Sequence, residues 1–408
     1  MLIHQIHMAV PNKCERIMNE LKVAVVGIGN IGSAHAACIA NGQIKGMTLN
    51  AVCDIDLHKL NSFTERYPDV VGYDNYQKLI ASHIVDVVVV SVPHPLHAEI
   101  AIAALKNGLH VMLEKPADIS VTRVKELNQV SQDSGKKFSI MFNQRTNSLF
   151  RRAREIVHSG ELGEMRRTSW VITNWYRTQA YYDSGKWRAT WLGEGGGVLL
   201  NQAPHQLDLW QWICGMPDSI VAYCDIAKYH DIEVEDNVTI FSKYKNGATG
   251  TFITSTGEYP GTNRLEIVGD LGKIILENGV LKWWKLNESA REVCRNSKIE
   301  HAHIDYEYIE IIEESSDFAH AKILQNFANS IINGETLIAP GEDGILELTI
   351  SNAAYLSSWL EHKEIHLPFD SRQFDELLKE RMKHSKLKET DTSTTTESEY
   401  KSRWQVNW

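Results

Sequence analysis

Lys22-Val23-Ala24-Val25-Val26-Gly27-Ile28-Gly29-Asn30-Ile31-Gly32, running on into Ser33–Ala40, is the stretch that decides the fold. Alone, G-x-G-x-x-G is a weak pattern, because glycines in any tight turn can reproduce it. Its flanks make the difference: an apolar run that reads as a buried strand precedes it and a helical stretch follows. In that setting Gly27 permits the sharp turn and Gly29 lets backbone approach a pyrophosphate. Gly32 allows the helix to lie close to the sheet. Asn30 and Ile31 fall at the helix start, where unpaired N–H groups favour phosphate charge.

The second strand pattern ends in Ala51-Val52-Cys53-Asp54, which places Asp54 22 residues beyond Gly32. A carboxylate near that spacing accepts hydrogen bonds from an adenosine ribose. The plainer alternative is a cap on the following helix. Ile55 and Asp56 come next, with no adjacent arginine to meet a 2′-phosphate. The expected cofactor is therefore NAD, with NADP less favoured; His58 and Lys59 are the nearest cationic candidates.

Outward from this loop, Leu21–Gly27, Leu49–Asp54, Val85–Val92, His110–Glu114 and Lys137–Phe142 are short runs rich in Val, Ile and Leu. Such runs suit strands covered on both faces. Amphipathic stretches between them, such as Pro95–Asn107 and Ser120–Ser134, serve as crossover helices. The expectation is a doubly wound parallel Rossmann sheet over residues 21–145. After a helix near Asn147–Ser159 the pattern changes. Glu164–Asn174, Ile220–Ala227, Val238–Tyr244, Thr249–Ser255, Arg264–Val268, Lys273–Leu276 and Val280–Lys285 read as strands. They are separated by Asn246-Gly247, Gly269-Asp270 and Asn278-Gly279, and turns so closely spaced predict a large, mainly antiparallel sheet. Helical stretches near Asp317–Asn333 and Asp343–Glu361 complete an α+β domain over residues 146–370. Residues 1–20 read as a flexible extension and residues 371–408 as a polar tail.

With 408 residues, 43% of them hydrophobic and 23% charged, the chain is globular and long enough for two domains. Its formal charge of −10 leaves no footprint for nucleic acid or an anionic membrane. No apolar run approaches the roughly 20 residues of a membrane span, and no secretory signal is present. The 6 cysteines include no Cys-x-x-Cys pair, so reduced thiols in the cytoplasm are expected rather than a zinc site or disulfides.

Two further motifs carry chemistry. The fifth strand ends in Glu114-Lys115-Pro116, which puts an ammonium on the ligand rim of a parallel sheet. Such a group stabilises negative charge developing on a substrate oxygen. Downstream lies Glu194-Gly195-Gly196-Gly197-Val198-Leu199-Leu200-Asn201-Gln202-Ala203-Pro204-His205-Gln206-Leu207-Asp208. With the glycine loop and its His35, these motifs resemble the glucose–fructose oxidoreductase/inositol dehydrogenase/rhizopine catabolism (Gfo/Idh/MocA) family, over about residues 21–365.

The resemblance implies that Lys115 and His205 are catalytic. It places Asn201 where the family usually has an aspartate. An amide cannot relay a proton, but it can hydrogen-bond a substrate hydroxyl. Asp208 is expected to orient the imidazole, and the regular helix is expected to start near Pro204, with Asn201 in the preceding turn. Pro93 and His97 of Pro93-His94-Pro95-Leu96-His97 fit the family's cofactor contacts, as do Glu114 and Lys115, whereas His94 departs from the pattern. No metal is expected, since His94 and His97 have no evident third ligand. Arg145, at the junction of the two domains, faces the cofactor or forms an interdomain salt bridge.

Trp175–Trp191 mixes aromatic and polar groups as sugar sites do, with aromatic faces on the C–H side of a ring and polar groups on its hydroxyls. An irregular loop packing its aromatics on the sheet would look the same. Together with Asn201–His205, His230–Asp236 and Gly257–Arg264, it resembles the branch containing levoglucosan dehydrogenase and glycoside 3-dehydrogenases. Tyr182, Trp187, Arg188, Trp191, Asn201 and His205 are the substrate candidates. The resemblance implies hydride transfer between NAD and a secondary alcohol of a sugar, anhydro-sugar or inositol. Its rivals are a glycosidase using bound NAD for transient oxidation and a non-catalytic sugar sensor. A homodimer or homotetramer through the exposed sheet face is expected, with Trp283-Trp284 in the contact.

Overall fold

Val87–Val90 are four consecutive valines, all fully buried, and they set the character of the first sheet. In the computed structural model, which describes residues 20–312 and 319–388, six strands line up side by side. These are β1 (Leu21–Val26), β2 (Met47–Cys53), β3 (Val71–Tyr73), β4 (Val87–Val90), β5 (His110–Leu113) and β6 (Phe138–Ile140). Their order is β3-β2-β1-β4-β5-β6, and every pairing is parallel. Strand order reverses between β1 and β4, so the crevice outside their carboxyl ends is the place where such sheets bind ligands. The helix Asn30–Ala40 starts there. Gly32 is required because a Cβ on it would lie 1.8 Å from the carbonyl oxygen of Gly27.

The second sheet contains β7 (Met165–Ile172), β8 (Ser219–Ile226), β9 (Glu235–Lys243), β10 (Thr249–Ser255), β11 (Asn263–Gly269), β12 (Gly272–Glu277), β13 (Val280–Leu286), β14 (Tyr306–Ile312) and β15 (Ile365–His366). Its order is β14-β13-β12-β11-β7-β10-β9-β8-β15. The central pair β7 and β10 is parallel and the other pairings are antiparallel. β3, β14 and β15 escape sequence reading because each lies near a sheet edge, and β3 and β15 are only 3 and 2 residues long.

Helices Ser148–His158, Pro204–Cys214 and Gly344–Trp359 cover one face of this sheet. On the other face Tyr223, Phe241 and Tyr308 stay exposed. The expected Trp283-Trp284 patch is corrected here, because neighbours on a strand point to opposite faces. Trp283 is buried under the Arg152 guanidinium on the helical side. Trp284 alone lies on the open side, with the Lys273 ammonium 4.6 Å above its ring.

The tail expected from residue 371 begins instead with a docked helix, Ser371–His384, capped by the Asp370 side chain. Phe374 and Leu378, one turn apart, are its buried face. Phe374 stacks on Trp359 at 5.4 Å, and the Arg381 guanidinium lies 3.8 Å above the same indole. A two-residue apolar stripe in an otherwise polar stretch is a faint sequence signal. The rest of the expected tail, from residue 389, and the extension before Glu20 lie outside the described residues. If the helix is part of the core, Phe374→Ala should destabilise the protein by about 3–5 kcal/mol in chemical unfolding, whereas a mobile tail would show no change.

Candidate active site

The helix beginning at Asn30 has Gly29 at its N-cap, with no side chain bonded to its first turn. A Cβ on Gly29 would meet nothing within 4 Å, so the space before those N–H groups is open. Asp54 accepts from Ile28 N–H and Asp56 N–H at 2.9 Å each, so its carboxylate braces the loop it follows. It is Asp56, not Asp54, that caps the next helix. An open anion cradle ending in a carboxylate fits NAD, and that carboxylate opposes a 2′-phosphate. Pro93 is exposed on the same rim.

At the end of β5, Glu114 and Lys115 point to different tasks. Glu114, expected at the cofactor, is turned inward, with Oε1 2.7 Å from Nε2 of the fully buried His35. Burial pushes its carboxyl up, but the hydrogen bond and charge of His35 win and hold it down at about 2. His97 is likewise corrected. Its Nδ1 lies 2.6 Å from the Pro116 carbonyl and its Nε2 2.8 Å from that of Val92, so neither ring nitrogen is left for a cofactor. It ties the Lys115 turn to the Val92 turn. Lys115 Nζ donates to the Asn201 carbonyl at 2.8 Å. Burial lowers its pKa, while Glu114, Glu347 and Glu194 favour the charged form.

The glycine triplet is suspended from Glu235. Its carboxylate accepts from Gly197 N–H and Leu199 N–H at 3.0 Å and from the Tyr355 hydroxyl at 2.7 Å. A Cβ at position 197 would lie 1.9 Å from the Glu235 carbonyl oxygen, which is why glycine is needed there. The chain then turns through Asn201 and enters the helix at Pro204, its first residue, where a missing N–H is harmless. His205 follows, buried, with no partner for Nδ1 among the described residues. Burial and then the Lys115 charge hold its pKa well below the ordinary value. A neutral imidazole near a half-buried ammonium is a ready proton acceptor.

Asp208 does not orient that imidazole. It receives Arg145 through Nε at 2.8 Å and Nη2 at 2.6 Å, while Nη1 reaches Asp343 at 2.6 Å. Arg145 is therefore a buried interdomain clamp.

Two of the expected substrate residues face the interior. The Tyr182 hydroxyl is 2.7 Å from Thr256 Oγ1, pinning the loop to the end of β10. Trp191 packs edge-on against Tyr355 and Trp359 at 5.8 and 5.6 Å. Trp187 and Arg188 are partly exposed. The Arg188 guanidinium lies 4.6 Å above both Trp187 and Tyr181, and its charge reaches Lys115. Trp187 also stands 6.1 Å from His94.

Sequence reading assigned no role to Glu194, Glu235 or Glu347. Glu347 had a signal: it interrupts the buried stripe of the helix Gly344–Trp359, and neither of its oxygens has a partner among the described residues. Among those residues no cluster of three His, Cys, Asp or Glu is placed to hold a metal. No helix there is long and apolar enough to cross a membrane.

A parallel sheet with an open dinucleotide cradle, facing a lysine and a neutral histidine, defines an NAD-binding oxidoreductase. The chain belongs to the Gfo/Idh/MocA family. Residues 21–142 match the model for the oxidoreductase family, NAD-binding Rossmann fold, and residues 150–275 match the GFO/IDH/MocA C-terminal domain. It is 25% identical to myo-inositol 2-dehydrogenase of Thermotoga maritima over 84% of this chain and 97% of that enzyme. To D-glucoside 3-dehydrogenase of Escherichia coli it is 30% identical, over 48% of this chain and 55% of that enzyme. Levoglucosan dehydrogenase in complex with NADH and levoglucosan shares the fold, with a TM-score of 0.69 at 20% identity, over 85% of this chain and 99% of that one.

Burial pushes the Glu235 carboxyl up to about 7, against the N–H groups and hydroxyl that favour its ionised form. The folded value exceeds the ordinary 4.5, so the stability it contributes is complete below 4.5 and is lost as pH rises through about 7. In thermal unfolding, Glu235→Gln is expected to flatten the pH dependence over that window; an unchanged slope would refute the assignment.

Proposed function

We propose that the chain is a dehydrogenase transferring a hydride between NAD and a secondary alcohol of a sugar, anhydro-sugar or inositol. One observation carries the reading. Lys115 Nζ is bonded to the backbone of Asn201, four residues before a buried, neutral His205, and the Lys115 charge reaches that imidazole. The inositol and glucoside dehydrogenases among its relatives support a CH–OH donor.

Gly27, Gly29, Asn30, Ile31, Gly32 and Asp54 would hold the cofactor, with Pro93 and Lys115 along its rim. Bound there, NAD supplies the hydride acceptor. His205 takes the proton of the ring hydroxyl, a role that contributes typically about 10²–10⁴-fold. Lys115 donates to the same oxygen and steadies its negative charge. Trp187 offers an apolar face, and Arg188 and Asn201 offer polar groups to the remaining hydroxyls.

A screen of inositols, free sugars and 1,6-anhydro sugars with NAD and NADP, followed by absorbance of the reduced cofactor, tests the reading. Hydrolysis without net reduced cofactor would point to the glycosidase, and binding without turnover to a sensor. Lys115→Met should abolish turnover and leave NAD affinity nearly unchanged; surviving turnover would remove Lys115 from the mechanism. Because His205 stays neutral, kcat/KM for oxidation should hold as pH falls through about 6.5, where an ordinary imidazole protonates.

The same reading includes a homodimer or homotetramer joined through the open sheet face, where Tyr223, Phe241 and Tyr308 lie exposed. It also places the enzyme in the cytoplasm, supported by the five described cysteines all being free. Phe241→Glu combined with Tyr308→Glu should yield monomers by light scattering, and an unchanged assembly would exclude this face.

A further inference from the structure

Glu194, the residue before the glycine triplet, has no part in the mechanism above, yet it lies behind the residue that holds Lys115. It is buried, only 2% exposed. Its Oε2 accepts from Ala189 N–H at 2.5 Å, and its Oε1 accepts from Asn201 Nδ2. Its backbone carbonyl lies 3.1 Å from His94 Nδ1. One side chain thus joins Ala189, next to Trp187 and Arg188, to the turn whose Asn201 carbonyl accepts from the lysine. Burial raises its pKa, while the Arg188 charge, the Ala189 N–H, the Asn201 amide and the Lys115 charge favour the ionised form; that charge in turn favours the Lys115 ammonium, which Arg188 opposes.

An amide has a donor end and an acceptor end, and an ionised carboxylate can only accept. With Nδ2 turned to Glu194, Oδ1 is the end of the Asn201 amide directed away from that carboxylate. That oxygen belongs to the residue whose backbone carbonyl accepts from Lys115 Nζ.

We propose that Glu194 is a positioning residue that locks the Asn201 amide with its carbonyl toward the cleft, so that the enzyme selects substrates with a free hydroxyl on the carbon next to the one oxidised. The inference rests on the dehydrogenase reading and narrows its substrate class to vicinal diols. A neighbouring hydroxyl donates to Oδ1, whereas a deoxy or O-methyl analogue leaves that acceptor unpaired. Glu194→Gln places an NH₂ group against Nδ2, and two donors cannot pair. Asn201 then turns over, and its donor end faces the cleft.

The test has two arms. Competitive labelling of Lys115 with an acylating reagent, read by mass spectrometry, needs no substrate. Without the Glu194 charge more of the lysine is neutral, so at pH about 8 Glu194→Gln should label about threefold faster or more, and Glu194→Asp near the wild-type rate. In the kinetic arm, the wild type should prefer a diol over its monodeoxy analogue by about 10²-fold or more in kcat/KM, and Glu194→Gln should lose most of that preference. Asn201→Ala should lose the preference while labelling like the wild type, and it carries the test if Glu194→Gln does not fold. Equal labelling of the wild type and Glu194→Gln, or an undiminished diol preference in Asn201→Ala, overturns the proposal. If the wild type reduces NAD with no polyol, the dehydrogenase reading and the diol selection built on it fall together, and the labelling arm shows whether Glu194 still governs Lys115.

Discussion

The hydrogen bond from Lys115 Nζ to the Asn201 carbonyl is the constraint around which the molecule is arranged. It joins the carboxyl end of a strand in the parallel sheet to a turn that belongs to the second domain. A half-buried ammonium is costly unless it is compensated, and one carbonyl does not suffice. The compensation comes chiefly from Glu114 beside it, which His35 keeps ionised, and from Glu194 before the glycines, whereas burial pushes Glu347, in the helix Gly344–Trp359, toward its neutral form. Lys115 is therefore a product of both domains.

The neighbouring buried charges follow the same logic. Glu114 remains ionised because His35, on the helix that opens the dinucleotide site, bonds to it. The helix after the glycine loop and Lys115 are thereby coupled through one carboxylate. Arg145 gathers Asp208 and Asp343 across the domain junction. Glu235 accepts two backbone N–H groups and holds the glycine triplet in place. Among the described residues Nδ1 of His205 has no such commitment.

Residues that looked equivalent as letters divide into two groups in space. Trp187 and Arg188 remain at the cleft, while Tyr182 and Trp191, from the same aromatic stretch, fix the loop to the sheet and to the helix Gly344–Trp359. His97 and Glu114 keep their places at the rim but spend their hydrogen bonds on protein groups. Asp208, one turn from the imidazole it was expected to orient, is claimed by Arg145 because a bidentate guanidinium is the stronger partner for a buried carboxylate.

By itself the sequence determined what depends on neighbours along the chain. The strand-glycine-helix signature, the run of buried parallel strands, the closely spaced turns of the second sheet and the helix start at Pro204 all follow from local sterics and from the period of apolar residues. The pairing of Lys115 with Asn201, the bond between Glu194 and Asn201 and the inward turn of Glu114 were decided only by the tertiary structure. These are contacts between segments up to 86 residues apart. Their partners are chosen by which polar atoms the fold buries together, since each one left unpaired is costly, and such pairing between distant segments follows no period along the chain.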